Sequence, residues 1–99
     1  MSFGIPSEAL ARIRAVFSGY PQVERVILFG SRAKGTFSTG SDVDLTLIGD
    51  TVDLSLLNRI EGNIDDLLLP WSFDLSIYSQ IENPELVSHI KRVGVVFYP

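Results

Sequence analysis

The sequence predicts an α/β domain. Four short stretches with strand patterning alternate with three amphipathic helical stretches, and the first strand run stops abruptly at a Gly-Ser pair. The chain has 99 residues, 45% of them hydrophobic and 20% charged, which suits one modest core and one domain spanning 1–99.

Residues 7–18 read as the first helix: Leu10, Ile13 and Phe17 recur at helical spacing, with Glu8 and Arg12 at i, i+4 on the polar side. Gly19 and Pro21 end it. Residues 23–29 are nearly continuous apolar and read as a strand buried on both faces. Residues 31–35 fit a short helical turn opened by Gly30-Ser31 and stopped by Gly35, and a loop follows. Residues 42–48 alternate as a strand, with Asp42, Asp44 and Thr46 on one face and Val43, Leu45 and Leu47 on the other.

A second helix is expected over 53–68, with Leu57, Ile60, Ile64 and Leu67/Leu68 as its apolar stripe and Pro70 closing it. Residues 71–78 alternate again, placing Trp71, Phe73, Leu75 and Ile77 on one face and Asp74 on the polar one. Asn83-Pro84-Glu85 is a helix start, and that helix runs to Val93 before Gly94. Residues 95–98 suit a short final strand at an edge.

Composition excludes several functions. The chain has no cysteine, so disulfides, thiolate zinc sites and cysteine nucleophiles are out, and a reducing cytoplasm fits. Glu8, Arg12 and Arg14 interrupt the N-terminal stretch, which reads as neither signal peptide nor membrane span. The net charge is −4 with no basic block, so free nucleic acid is a poor general partner.

Singly, the Asp-x-Asp, the Gly-Ser-Arg and the mid-strand Asp74 are no more than a loop, a turn and a solvent-facing residue. Their order and spacing point to chemistry. Asp42 and Asp44 share one strand face, and Asp74 follows thirty residues on, far enough for a helix and a return strand. Hard divalent cations take carboxylate and phosphate oxygens, and two Mg²⁺ ions can clamp an in-line displacement at phosphorus. Asp42 and Asp44 would bridge the metals. Asp74 would complete the site and accept or orient the attacking hydroxyl's proton. The backbone N–H groups of Gly30 and Ser31, with the Ser31 side chain, would hold the terminal phosphates. Arg32 or Lys34 would add charge there, the sequence leaving open which points inward. His89, the one histidine, is expected at an exposed helix flank, Trp71 and Tyr78 as packing residues, and Asp65-Asp66 as exposed.

These residues carry a resemblance. Gly30-Ser31-Arg32-Ala33-Lys34-Gly35 with Ser41-Asp42-Val43-Asp44-Leu45 resembles the signature of the polymerase β-like nucleotidyltransferase superfamily. The short chain is similar to its minimal nucleotidyltransferases, the MNT or MntA type. Phe73-Asp74-Leu75 falls where that family carries its third metal-binding aspartate, and the ending from Ile90 to Tyr98 is similar to the family's C-terminus. Lys34 stands where many relatives have Arg; it keeps the charge but cannot make a bidentate phosphate contact.

The resemblance implies a mixed sheet of about four strands with helices packed on it, ATP as substrate and Mg²⁺ as cofactor. It also implies a small all-helical HEPN-type toxin as partner, with AMP transferred to a tyrosine on it by the antitoxin. The chain is too short for the fingers or acceptor domains of larger relatives, so an acceptor supplied by another protein suits it. Two alternatives stand beside this: an antitoxin acting by occlusion alone, and transfer of AMP to a small molecule of the aminoglycoside type.

Overall fold

A computed structural model describes all residues, 1–99. Strands β1 (Arg25–Phe29), β2 (Val43–Ile48), β3 (Phe73–Ile77) and β4 (Val95–Tyr98) form one sheet in the order β3-β2-β1-β4. β1 runs antiparallel to both β2 and β4, whereas β2 and β3 are parallel, so the sheet is mixed as expected. Helices α1 (Ser7–Ser18), α2 (Ser31–Lys34), α3 (Leu54–Asp65) and α4 (Pro84–Val93) connect or flank the strands. None is long and apolar enough to cross a membrane.

Strand alternation divides the sheet into two unlike faces. Val26, Leu28, Val43, Leu45, Leu47, Leu75 and Ile77 belong to one buried cluster with Leu10, Ile13 and Phe17 of α1 and Leu57, Ile60 and Ile64 of α3. The opposite face carries Ile27, Phe29, Asp44, Thr46, Asp74 and Ser76. Helix α4 packs there: the His89 ring meets Phe29 edge-on, 6.3 Å between centroids. The buried Phe29 and Ile90 lie outside the main cluster, in keeping with this second layer. Thr46, fully buried in that layer, donates its hydroxyl hydrogen bond to the Ser76 carbonyl across the β2–β3 pair.

Four sequence expectations need correction at their edges. β1 begins at Arg25 and is fully buried on one face only, since Ile27 stays half-buried beneath the shorter α4. β2 begins at Val43, which leaves Asp42 just ahead of the strand. α3 ends at Asp65, because two successive acids at a helix C-terminus oppose the dipole and no glycine cap follows. The chain leaves α3 through tight turns in which Leu67 and Leu68 bond back to Ile64 and Asp65. Leu68 there takes a left-handed φ of 55° and projects into solvent instead of joining the stripe. Likewise β3 begins at Phe73, and Tyr78 opens a 3₁₀ turn over residues 78–80.

The expected start of α4 forms as read: the Asn83 side chain accepts from the Glu85 and Leu86 amides, with Pro84 at the first position. Asp53 caps α3 by accepting from Leu56 N–H at 2.9 Å. Loss of such a cap costs about 1 kcal/mol. Asp53→Ala is therefore expected to lower the unfolding free energy by about that amount in urea titration, with the geometry of the aspartate cluster described next left intact.

Candidate functional site

The site lies where β1 stops and β2 and β3 start. Antiparallel pairing puts Phe29 opposite Asp44, and parallel pairing puts Asp44 opposite Asp74. The chain must leave β1 at Gly30 without striking the carboxylate beside it. Gly30 has φ 75° and ψ −157°, a region essentially reserved for glycine. A Cβ built on Gly30 would fall on Asp44 Oδ2. Conformation and space thus both require glycine here.

α2 is a single turn. Gly35, at φ 81°, closes it by donating its N–H to the Ser31 carbonyl. Within that turn Arg32 points inward, 2% exposed. Its Nε and Nη2 donate to the Ser41 carbonyl at 3.0 and 2.9 Å, its Nη1 donates to the Phe3 carbonyl at 2.7 Å, and its guanidinium lies over the Phe37 ring. The structure therefore places Arg32 as a brace between the turn, the N-terminal residues and the segment that leads into Asp42. Of the two cations the sequence left open for phosphate, Arg32 is the one that points inward, and its donors are directed at backbone carbonyls. Lys34 is exposed at the end of α2 and is the cation of the pair left facing solvent.

Asp42 is exposed ahead of β2, Asp44 is half-buried in β2, and Asp74 is exposed on the edge strand β3. Burial, and then the neighbouring charges of Asp74 and Asp42, push the Asp44 carboxyl above its ordinary value, with His89 acting in the opposite direction. The three carboxylates do not close into a three-ligand metal cage by themselves. The donor set nonetheless fits a hard divalent cation: these are oxygen ligands carrying mutually repelling charge, and Mg²⁺ typically takes one or two carboxylates and completes its shell with substrate phosphate and water. Asp74 also borders a shallow cleft of about 120 Å³ at the free edge of β3, beside Glu61 and Asp65 of α3.

One residue of the site was missed in the sequence. The Gly30 N–H, expected to face phosphate, donates to His89 Nε2 at 3.3 Å. His89 therefore sits at the site and not on an exposed flank. The signal was present: Leu86, His89, Ile90 and Val93 fall on one helical stripe, so a histidine at that register belongs to the inner side of α4. Ser31 is half-buried at the first position of α2, where its amide precedes any intrahelical partner.

The raised Asp44 carboxyl has a stability consequence. A native carboxyl that holds its proton more tightly than the unfolded chain loses stability as pH rises from its unfolded value near 3.8 through the raised native one. Ionised Asp44 then costs stability at neutral pH. Asp44→Asn is expected to raise the thermal midpoint at about pH 7.5, with the gain shrinking toward roughly pH 4, as circular dichroism melts would show. A midpoint lowered at neutral pH would contradict the electrostatic account.

The family model described as Polymerase beta, Nucleotidyltransferase matches residues 11–99. Among solved structures, a crystal structure of a toxin-antitoxin with AMP-PNP superposes with a TM-score of 0.70 at 19% identity, covering 94% of this chain and 73% of that one. An aspartate-to-glutamate double mutant of the toxin-antitoxin MntA-HpeT gives 0.70 at 17% identity, with the same 94% and 73% coverage. A further MntA-HpeT mutant gives 0.67 at 19% identity, covering 93% and 71%. At these identities the likeness is one of fold. No curated protein matches the sequence significantly.

Proposed function

The chain belongs to the polymerase β nucleotidyltransferase family, and from that membership we propose that it transfers AMP from ATP to a hydroxyl on a protein partner. The observation that carries the reading is the register of Asp44 against Asp74, with Asp42 at the head of β2, which groups three carboxylates at one end of the sheet. Asp42, Asp44 and Asp74 would hold Mg²⁺, two ions in the full reading, which when bound would neutralise charge developing on the phosphoryl oxygens.

In the proposed step, the acceptor oxygen bonds to the α-phosphorus while the bond to the pyrophosphate leaving group breaks, and the acceptor's proton passes to a carboxylate oxygen of Asp74. Ser31 and the first-turn amides of α2 would hold the terminal phosphates, and Lys34 would add charge from the solvent side. The cleft beside Asp74 is far below the ~300 Å³ or more of ordinary ligand pockets. A nucleotide would therefore lie across an open surface, held chiefly through its phosphates.

The structural neighbours crystallised as toxin-antitoxin pairs favour a toxin as the acceptor, and an all-helical HEPN-type protein with a target tyrosine is the partner this reading selects. The cysteine-free composition accords with work in the cytoplasm. Asp42→Ala or Asp44→Ala is expected to abolish transfer of AMP from α-labelled ATP to the partner, with the far-UV spectrum unchanged. Chelation of divalent cations is expected to do the same to the wild-type protein. Undiminished transfer by either variant would sink the mechanism. Neutralisation of the partner by the Asp42/Asp44 double variant at equal expression would show that occlusion suffices.

A further inference from the structure

We propose that His89 is a positioning residue for nucleotidyl transfer: by accepting the Gly30 N–H at Nε2, it holds the glycine against which the Asp44 carboxylate is seated. The proposal deepens the AMP-transfer reading and rests on it. His89 belongs to none of the sequence motifs that mark the site.

The Gly30 amide lies one residue beyond the last β1–β2 pair, Phe29 with Asp44, and at the cap position of α2. Neither the sheet ladder nor the helix supplies it with an acceptor, and the imidazole does, at 3.3 Å. Nε2 can accept only when it carries no proton, so this contact belongs to the neutral ring, and a protonated ring, the form that favours ionised Asp44, would give it up. The ring is half-buried against β1. Phe29 meets it edge-on at an interplanar angle of 81°, and the neighbouring Ile90 anchors α4 in the second layer, 4% exposed. The helix itself is held at its start by Asn83 and at its end by the Gly94 N–H on the Ile90 carbonyl.

His89 therefore reaches from a fixed helix to the peptide whose orientation decides where Asp44 can stand. A rotation of the Gly30 peptide would alter the surface against which the Asp44 carboxylate lies. The main cluster under the opposite face includes neither Phe29 nor His89. Loss of the imidazole should thus disturb the site far more than the fold. Partners that orient metal ligands from outside the ligand shell typically alter activity 10–100-fold when removed.

The test compares wild type, His89→Ala and His89→Gln, since the glutamine Oε1 can accept the same amide. His89→Ala is expected to lower kcat for AMP transfer about tenfold or more, with KM for ATP nearly unchanged and the thermal midpoint retained. His89→Gln should recover most of that rate. The Gly30 amide, followed by hydrogen exchange in NMR, should exchange faster in His89→Ala and slowly again in His89→Gln. Wild-type kcat in His89→Ala, equal losses in both variants, or identical Gly30 exchange in wild type and His89→Ala would each overturn the role of His89 while leaving AMP transfer standing. A wild-type protein that transfers no AMP overturns the transfer reading, and this proposal with it.

Discussion

The arrangement depends on a close approach: Gly30 takes a backbone conformation reserved for glycine, and the Asp44 carboxylate lies where a side chain on it would begin. Three strands converge on this point, and their register fixes what meets there. β1 delivers Gly30, β2 delivers Asp44 directly across from Phe29, and β3 delivers Asp74 in step with Asp44. Since side chains alternate along a strand, a one-residue slip of β3 would turn Asp74 toward the buried cluster and Leu75 toward the site. The apolar set Leu75 and Ile77, packed under α3, opposes such a slip. The hydrophobic layer on one face thereby determines the position of charge on the other.

Much of this was legible in the sequence, and what was legible follows from periodicity. Alternation along β2 and β3 assigned Asp44 and Asp74 to the polar face correctly, and Asn83-Pro84 and Gly35 marked element ends where they occur. The failures have a common physical cause. The sequence leaves Arg32 and Lys34 as alternatives at phosphate because charge near a glycine turn suggests anion binding, yet the acceptors that engage Arg32, the carbonyls of Phe3 and Ser41, are remote in sequence or hidden in a loop. For His89 the stripe it shares with Leu86, Ile90 and Val93 marks the inner side of α4, but its partner Gly30, 59 residues away, is not written there. Local patterning reports which face a residue occupies; it does not report which backbone group waits opposite.

The two faces of the sheet also divide the energetic roles. The face under α1 and α3 is dry and apolar, and it is where folding free energy is gained. On the other face, burial first and then the like charges of Asp74 and Asp42 push the Asp44 carboxyl above its ordinary value. Such a site is destabilising in the free protein, and a cation or a substrate that binds it also stabilises the fold. Under the proposed function, stability and chemistry would be linked at Asp44, because a cation bound there would relieve what disfavours its ionised form.

Arg32 has one consequence that reaches the first residues of the chain. Its guanidinium spans the Phe3 carbonyl and the Ser41 carbonyl, and Ser41 immediately precedes Asp42. The opening segment is closed on itself by hydrogen bonds between Ser2 and Ile5 in both directions, and Ile5 is fully buried. Those five residues therefore behave as a buttress, the far abutment of an arch whose near end carries the Asp42 carboxylate. Trimming them, as is routine when an N-terminus is treated as a tail, would remove one support of Asp42 from the opposite side of the loop.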